Sequence, residues 1–487
     1  MDMKRTLIVL IFFFILPGIV LWYTRKRAES IENYMVAGRS VGPVATALTA
    51  ISAATSAGLF VGGAGMAYKF GWGGATWQLG AFFGSFFTWL VVAPRIRQVS
   101  RNLNVMTVPE LFAERYGSDK FYGFAAFWIV VFTVPMLVVQ LRSGALMMEA
   151  YLKMSYTSSL VIISLALIAF TALGGSVAIS YLSTVQALVM IGGTLVSMAV
   201  GLSLVHGIGG MDASLAKQSP SLVAFIGDVP HSLWYNLSVV YLFGFFSSPH
   251  VVARYYSMKD GNTARWSFPI AMVVAILWTV VAVLIGLFVR ALGIDLKNPD
   301  MAFATFATEV VPPFVGILLV LVLLGAIFTT LDTLLMAGGT SVVHDLIERS
   351  RGKPLDEAVK LRYSKVVMVI LGAISFGLCL VKLPLITIIN AFAFGAFIMV
   401  LGVPLVLGIF WDKMNREAAL FCTTLAPVLY IVWRLYLVKP TGLGEIPGTL
   451  LVIVPICIIW SLAKPATREE YFARYAEKVV GRPQGGH

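Results

Sequence analysis

Thr46-Ala47-Leu48-Thr49-Ala50-Ile51-Ser52-Ala53-Ala54-Thr55-Ser56-Ala57-Gly58 runs through Leu59-Phe60-Val61 into Gly62-Gly63-Ala64-Gly65. The stretch is long enough to cross a bilayer, yet it is built from small, hydroxyl-bearing and glycine residues. Two structures suit it. Small residues let membrane helices pack closely. Hydroxyls and glycines together also suit a discontinuous helix, whose unwound carbonyls face a polar site. A second stretch, Phe243-Gly244-Phe245-Phe246-Ser247-Ser248-Pro249-His250, carries a proline that removes a helix donor just after a weakened turn. Each stretch opens a set of five successive apolar runs. Five is odd, so two such sets lie in opposite orientation, and breaks at matching positions of inverted halves point to a transporter's binding site.

The composition around these breaks is that of a membrane protein. Of 487 residues, 59% are hydrophobic and 12% charged, with a mean hydropathy of +0.87. Soluble domains carry about 25% charged residues, so a soluble enzyme and a disordered chain are both excluded. The net charge of +12 lies in short clusters between apolar runs. That pattern fits membrane loops and not a nucleic-acid stripe. Cys379, Cys422 and Cys457 sit in apolar runs, and the five histidines are scattered, which suits neither a disulfide framework nor a zinc site. No nucleophile elbow, metal-binding helix motif, phosphate loop or dinucleotide fingerprint is present. Neither enzymatic chemistry nor an organic cofactor is expected.

A crossing helix needs about 20 apolar residues. Thirteen runs approach this, at 6–23, 43–68, 75–94, 121–141, 158–173, 181–206, 232–250, 268–290, 313–336, 366–381, 384–410, 418–433 and 447–463. They are spans 1 to 13 below. Span 1 ends in Arg25-Lys26-Arg27 without a cleavage site, so it reads as a span and not a signal peptide. With the N-terminus outside, 25 of the 36 Lys and Arg fall in inner loops and the tail. The positive-inside rule therefore places the N-terminus outside and the C-terminus in the cytoplasm. The expected organisation is span 1 and its loop at 1–42, a five-span unit at 43–206 and its inverted counterpart at 207–411. Two further spans at 412–463 and a cytoplasmic tail at 464–487 complete it. Thr107 is expected to cap a short helix in the loop 95–120, with Pro109 and Glu110 in its first turn.

Span 9 closes on Gly325-Ala326-Ile327-Phe328-Thr329-Thr330-Leu331-Asp332-Thr333. A carboxylate inside a span is costly and ordinarily faces a cavity, a partner or an ion. Hard cations take oxygen ligands, and sodium can find them in the carbonyls of a broken span 2 and the hydroxyls of Thr329 and Thr330. The same threonines can instead bond carbonyls one turn back. The residues alone leave both readings open.

In order along the chain, these pieces resemble the sodium:solute symporter family, whose members include sodium-coupled proline, pantothenate, monocarboxylate, sugar and sialic-acid carriers. The resemblance runs from about Asn33 to Trp411. It rests on Gly38-Arg39-Ser40, the hydroxyl-rich span 2, Thr171-Ala172-Leu173-Gly174-Gly175 and Thr184-Val185-Gln186. It also rests on Ser248-Pro249-His250 with Ala253-Arg254, and on Ala326 with Thr329-Thr330 leading to His344-Asp345-Leu346. The resemblance implies an all-α LeuT-type fold of two inverted five-helix repeats. It implies a sodium site made by the carbonyls of Ser52 and Thr55 with Ala326, Thr329 and Thr330. Many members have an aspartate where this chain has Ala54, and several have one where it has Ser183, so one sodium is expected. Asp332 stands where relatives have Ser, Ala or Asn; it either balances the cation or makes proton coupling possible.

The implied solute cavity lies between spans 2, 3, 4, 7 and 11, with Ser56, Gln78, Gln140, Arg142, Tyr241 and Phe245 as its side chains. The stretch from Asn390 to Phe397 is the expected wall opposite. Arg142 either captures a solute carboxylate with its planar guanidinium, or reaches headgroups or Glu149. The expected function is sodium-coupled symport of a small organic anion, a monocarboxylate or a pantothenate-like acid, by alternating access across a cell membrane. The wording Gly62-Gly63-Ala64-Gly65-Met66-Ala67-Tyr68-Lys69 is nearest to that branch. Alternatives are a sodium- or proton-coupled proline or amino-acid carrier, and a solute sensor, for which the tail is short. A channel would need a legible filter. No nucleic-acid partner is expected, and a monomer suffices.

Overall fold

The structure, a computed structural model, describes residues 15–24 and 40–464 except 354, together with Leu7 and Ile11. Expectations for the tail beyond Lys464, for Gly38-Arg39 and for most of span 1 fall outside the described residues. Helices account for nearly all of the rest, joined by one isolated parallel bridge between Val41 and Met258.

Among the described residues, ten helices are long and apolar enough to cross a membrane, and the bent pair at span 2 makes eleven. The expected thirteen are not reached, for two reasons. Span 1 is described only as the helix Leu16–Thr24. Expected spans 5 and 6 share one helical backbone, Tyr156–Leu204, whose first part, Tyr156–Ala172, is shorter than a crossing helix. The loop expected at 174–180 is helical. Glycine in a helix costs only about 1 kcal/mol, too little for Gly174-Gly175 to end it.

Span 2 is broken. Helices Pro43–Ala54 and Gly58–Phe70 meet at 52°. Thr55 leaves the helical region at φ −91°, ψ 76°, and the chain winds wide over Gly58–Gly63 before regular α-helix resumes at Ala64–Phe70. Close packing contributes as well: a Cβ on Gly58 would lie 2.7 Å from Asn390 Cγ of span 11. The two readings of the opening stretch are therefore both realised. Span 7 breaks at Ser248, which is extended (φ −85°, ψ 121°) between His231–Ser247 and Pro249–Tyr256.

The basic ends of the two broken spans are joined. Val41 N–H donates to the Ser257 carbonyl at 3.3 Å, and Lys259 N–H donates to the Val41 carbonyl at 3.2 Å. Ser267 Oγ adds a bond to the Pro43 carbonyl at 2.8 Å. At the same end Thr107 caps the helix Val108–Tyr116 in a full capping box with Glu110. Glu110 also meets His344 Nε2 at 2.7 Å, and His344 Nδ1 meets Glu348 at 2.7 Å. Burial alone would raise the Glu110 pKa, but His344 and the N–H groups of Met106 and Thr107 hold it below its ordinary value. Span 9 (Pro313–Arg351) and span 11 (Ile386–Phe410) form the centre, with 83% of each apolar window buried. A carboxylate on span 9 is thus kept away from lipid.

Candidate ion and solute sites

The threonine pair of span 9 faces the end of the first half of span 2. Thr329 Oγ1 donates to the Ser52 carbonyl at 3.1 Å and to the Ala326 carbonyl at 3.2 Å. Thr330 Oγ1 lies 3.3 Å from the carbonyls of both Ser52 and Ala53. All these residues are buried. Ser52 turns its own hydroxyl back to the Leu48 carbonyl at 2.6 Å, so it offers the cluster backbone oxygen only. Hydroxyl oxygens and carbonyls converging without an ammonium or guanidinium among them make a donor set that fits sodium. Thr55 begins the break beside this cluster, its N–H closing the last turn onto the Ile51 carbonyl at 2.7 Å. The Ala53 carbonyl was not expected. A carbonyl carries no sequence signal.

Beyond the break lies a cavity of about 400 Å³, walled by Thr55, Gln78, Tyr241 and Phe245 with Trp77 and residues of span 8. Gln78 is 4% exposed, and neither atom of its amide has a hydrogen-bond partner. The Tyr241 hydroxyl accepts from Asn390 Nδ2 at 2.7 Å, and its ring lies 4.8 Å from Trp77. Phe245 packs 6.3 Å from both Tyr241 and Phe394. Asn390 and Phe394 come from the stretch expected as the opposite wall. Trp77 was missed, since one aromatic among many in a membrane chain carries no mark.

The other three expected solute residues are engaged elsewhere. Ser56 Oγ accepts the Gly58 N–H at 3.1 Å, and Gln140 Oε1 accepts the Ala57 N–H at 3.2 Å. Both satisfy buried N–H groups that the break leaves without helical partners. Arg142 donates to the Pro384 carbonyl at 2.6 Å and pairs with Asp300 at 3.4 Å. Asp300 also accepts the Ile386 N–H at 3.2 Å, at the start of span 11. Burial pushes the Asp300 carboxyl up to about 6, against the pull of Arg142 and the Ile386 N–H. Arg142 is therefore one side of a latch at the end opposite the basic loops, joining span 4 to span 11 through the 299–301 turn. Its guanidinium is already paired, so it does not stand free to read a solute carboxylate.

The family model for the sodium:solute symporter family matches residues 34–425. The chain belongs to that family. It is 28% identical to a sodium/pantothenate symporter of Escherichia coli, an alignment covering 93% of this chain and 95% of the relative. It is 25% identical to a sodium/proline symporter of the same organism, covering 98% and 96%. A solved sodium-coupled sialic acid symporter, substrate-bound and outward-open, has the same fold at a TM-score of 0.79 and 16% identity, covering 95% of this chain and 98% of that one. The all-α, multi-pass LeuT-type architecture and sodium as the coupling ion follow.

For a sodium:solute symporter, the buried charges beside this oxygen cluster are the further feature of interest. Asp332 is 1% exposed and accepts a hydrogen bond from Thr171 Oγ1. Arg254 Nη2 donates to Thr333 Oγ1 at 2.6 Å, and Thr333 Oγ1 in turn donates to the Thr329 carbonyl at 2.8 Å. A guanidinium is thus linked through one hydroxyl to the Thr329 carbonyl of the oxygen cluster. Thr171 and Arg254 both lay in quoted motifs, but their roles depend on helices brought together by the fold.

Proposed function

We propose that this symporter carries a small organic carboxylate, a monocarboxylate or a pantothenate-like acid, together with sodium by alternating access. Its basic end lies in the cytoplasm, with the N-terminus outside and the C-terminus inside. The observation that carries the reading is Gln78, which lines the cavity beside the break of span 2 and whose amide, packed just behind that wall, has no hydrogen-bond partner. Turned into the cavity, its NH₂ group would donate to a carboxylate, and the start of the second half-helix offers the favourable end of its dipole. Among the described residues lining the cavity none is Lys or Arg, so the sodium ion itself supplies the opposing charge. The pantothenate relatives support an acid. The proline relatives support the runner-up, an amino-acid carrier. No organic cofactor, nucleic acid or covalent step belongs to this reading, and a single chain in the bilayer suffices.

The test is sodium-driven tracer uptake in proteoliposomes, with pantothenate, lactate and proline as competitors. Competition by the acids and not by proline is expected. Competition by proline alone would transfer the protein to the amino-acid carriers.

A further inference from the structure

The basic end holds a set of charges that neither the oxygen cluster nor the solute cavity uses. Both ring nitrogens of His344 meet carboxylates at 2.7 Å, Nε2 at Glu110 and Nδ1 at Glu348. A carboxylate only accepts hydrogen bonds, so both nitrogens donate and the ring is an imidazolium. Glu348 lies one turn along the same helix and has other partners, Lys360 Nζ at 2.6 Å and the Leu355 N–H at 3.0 Å. Glu110 belongs to the helix Val108–Tyr116, and among the described residues His344 is the only cation paired with it. Beside this joint Thr107 Oγ1 donates to Asp345 at 3.0 Å. The remaining titratable and charged groups nearby are Tyr122 of span 4, with Arg349 4.8 Å over its ring, and Tyr256 of span 7. The joint fixes the first turn of the helix Val108–Tyr116 in a particular place. A narrow cavity of about 50 Å³ lies between that turn, at Thr107 to Pro109, the second half of span 7, and the face of span 9 that bears Thr333, Thr340 and Ser341. Thr333 Oγ1 donates to the Thr329 carbonyl, so one end of the cavity adjoins the oxygen cluster. Ser341 stands about 12 Å further along the helix axis, at 1.5 Å per residue.

We propose that His344 is the pin of a gate at the basic end: its imidazolium holds the first turn of the helix Val108–Tyr116 across the path by which sodium leaves the oxygen cluster, and loss of one ring proton frees that turn. The proposal rests on the assignment of sodium to Thr329 and Thr330 and is independent of the solute. A neutral imidazole has one donor for two carboxylates, and in either tautomer its charge attraction to Glu110 is gone. Glu348 still has Lys360 and the Leu355 N–H. Glu110 has lost its cation and is left facing Asp345 as a like charge on the opposite element, which disfavours the closed arrangement. The gate therefore loosens as pH rises.

The experiment uses the full chain in nanodiscs, where both faces meet the same buffer. Thr340→Cys places a thiol on the cavity wall, and the native Cys379, Cys422 and Cys457 are buried. Its reaction with a hydrophilic maleimide is followed from about pH 6.5 to about pH 9.5, across the range in which a histidine loses its charge. Each rate is divided by that of the unfolded chain at the same pH, which removes the thiol's own titration. The corrected rate should rise about tenfold with pH, the weight of one charge-assisted hydrogen bond. His344→Gln, which donates without a charge, should react fast at every pH. His344→Lys, which keeps the charge, should react slowly at every pH. A general loosening of the fold would speed both variants, so opposite effects separate the pin from a structural role. A wild-type rate flat in pH, or a rise of the same size in His344→Gln, would overturn the pin. Exchange of radioactive sodium across proteoliposomes should stop once the maleimide is attached at position 340; exchange that continues would place the path elsewhere and overturn the gate.

Discussion

The oxygen cluster at Thr329 and Thr330, proposed to hold sodium, and the cavity lined by Gln78, proposed to hold the solute, flank one broken helix, and they are completed to different degrees. At the cluster, the hydroxyls of Thr329 and Thr330 and the carbonyls of Ser52, Ala53 and Ala326 are already in mutual contact. At the cavity, both ends of the Gln78 amide lack partners. An ion of fixed size and no shape can be met by backbone held in place before it arrives. A solute must be distinguished from others, and an amide left unsatisfied penalises every occupant that fails to pair with it. Under this proposal the difference separates a site that is preset from one that is completed by its ligand.

The strongest way to break this contrast is at the cluster. Thr329→Ala combined with Thr330→Ala should raise the sodium concentration for half-maximal uptake about a hundredfold, and Thr330→Ala alone about tenfold, at about 1.5 kcal/mol per lost contact. Unchanged sodium dependence in a well-expressed double variant would remove the cation from this place. Next in size is Gln78→Leu, which should weaken solute binding by about ten- to thirtyfold while leaving sodium affinity alone. Because the amide has no partner before the solute binds, the leucine variant should also be more heat-stable by about 1 kcal/mol. A lower unfolding midpoint would show that Gln78 is already paired.

Arg142→Gln should cost about fivefold in uptake and should cost acids and their amides equally, since Arg142 holds Asp300. A loss confined to acids would return Arg142 to the solute site. The latch also has a pH signature. Folded Asp300 keeps its proton up to about pH 6, whereas an unperturbed aspartate releases it near 3.8. This residue's contribution to stability is therefore greatest below pH 4 and falls as pH rises to 6. Asp300→Asn should flatten that fall in thermal unfolding curves; a slope unchanged by the substitution would mean another group titrates. The smallest effect, about threefold on sodium affinity, is expected for Asp332→Asn, because asparagine keeps an oxygen for Thr171 while losing the charge. Unaltered sodium affinity with a shifted pH dependence would make Asp332 a proton carrier.

What could be read in advance followed how local each signal was. The breaks at Thr55 and Ser248 were legible because small, hydroxyl and proline residues stand out within apolar runs. The Thr329-Thr330 pair was legible for the same reason. The two glutamines were not separable: Gln78 and Gln140 both sit in spans, and only the fold leaves both amide atoms of Gln78 without partners while bringing Gln140 Oε1 to the Ala57 N–H. Arg142 suggested a carboxylate reader because its partner, Asp300, lies in a distant loop with no spacing to link them. The helix through Gly174-Gly175 was read as a loop because glycine weakens a helix without being able to end it alone.

The bridge at Val41 carries a consequence for kinetics. Its two hydrogen bonds tie the residue before the first broken span to Ser257 and Lys259, which follow the second. Neither span can swing at that end without carrying the other or parting this short ladder. The amides of Val41 and Lys259 should therefore exchange with deuterium at one common rate. That rate should slow when sodium and solute hold the spans together, giving a spectroscopic clock for the opening of the basic end that needs no label at either binding site.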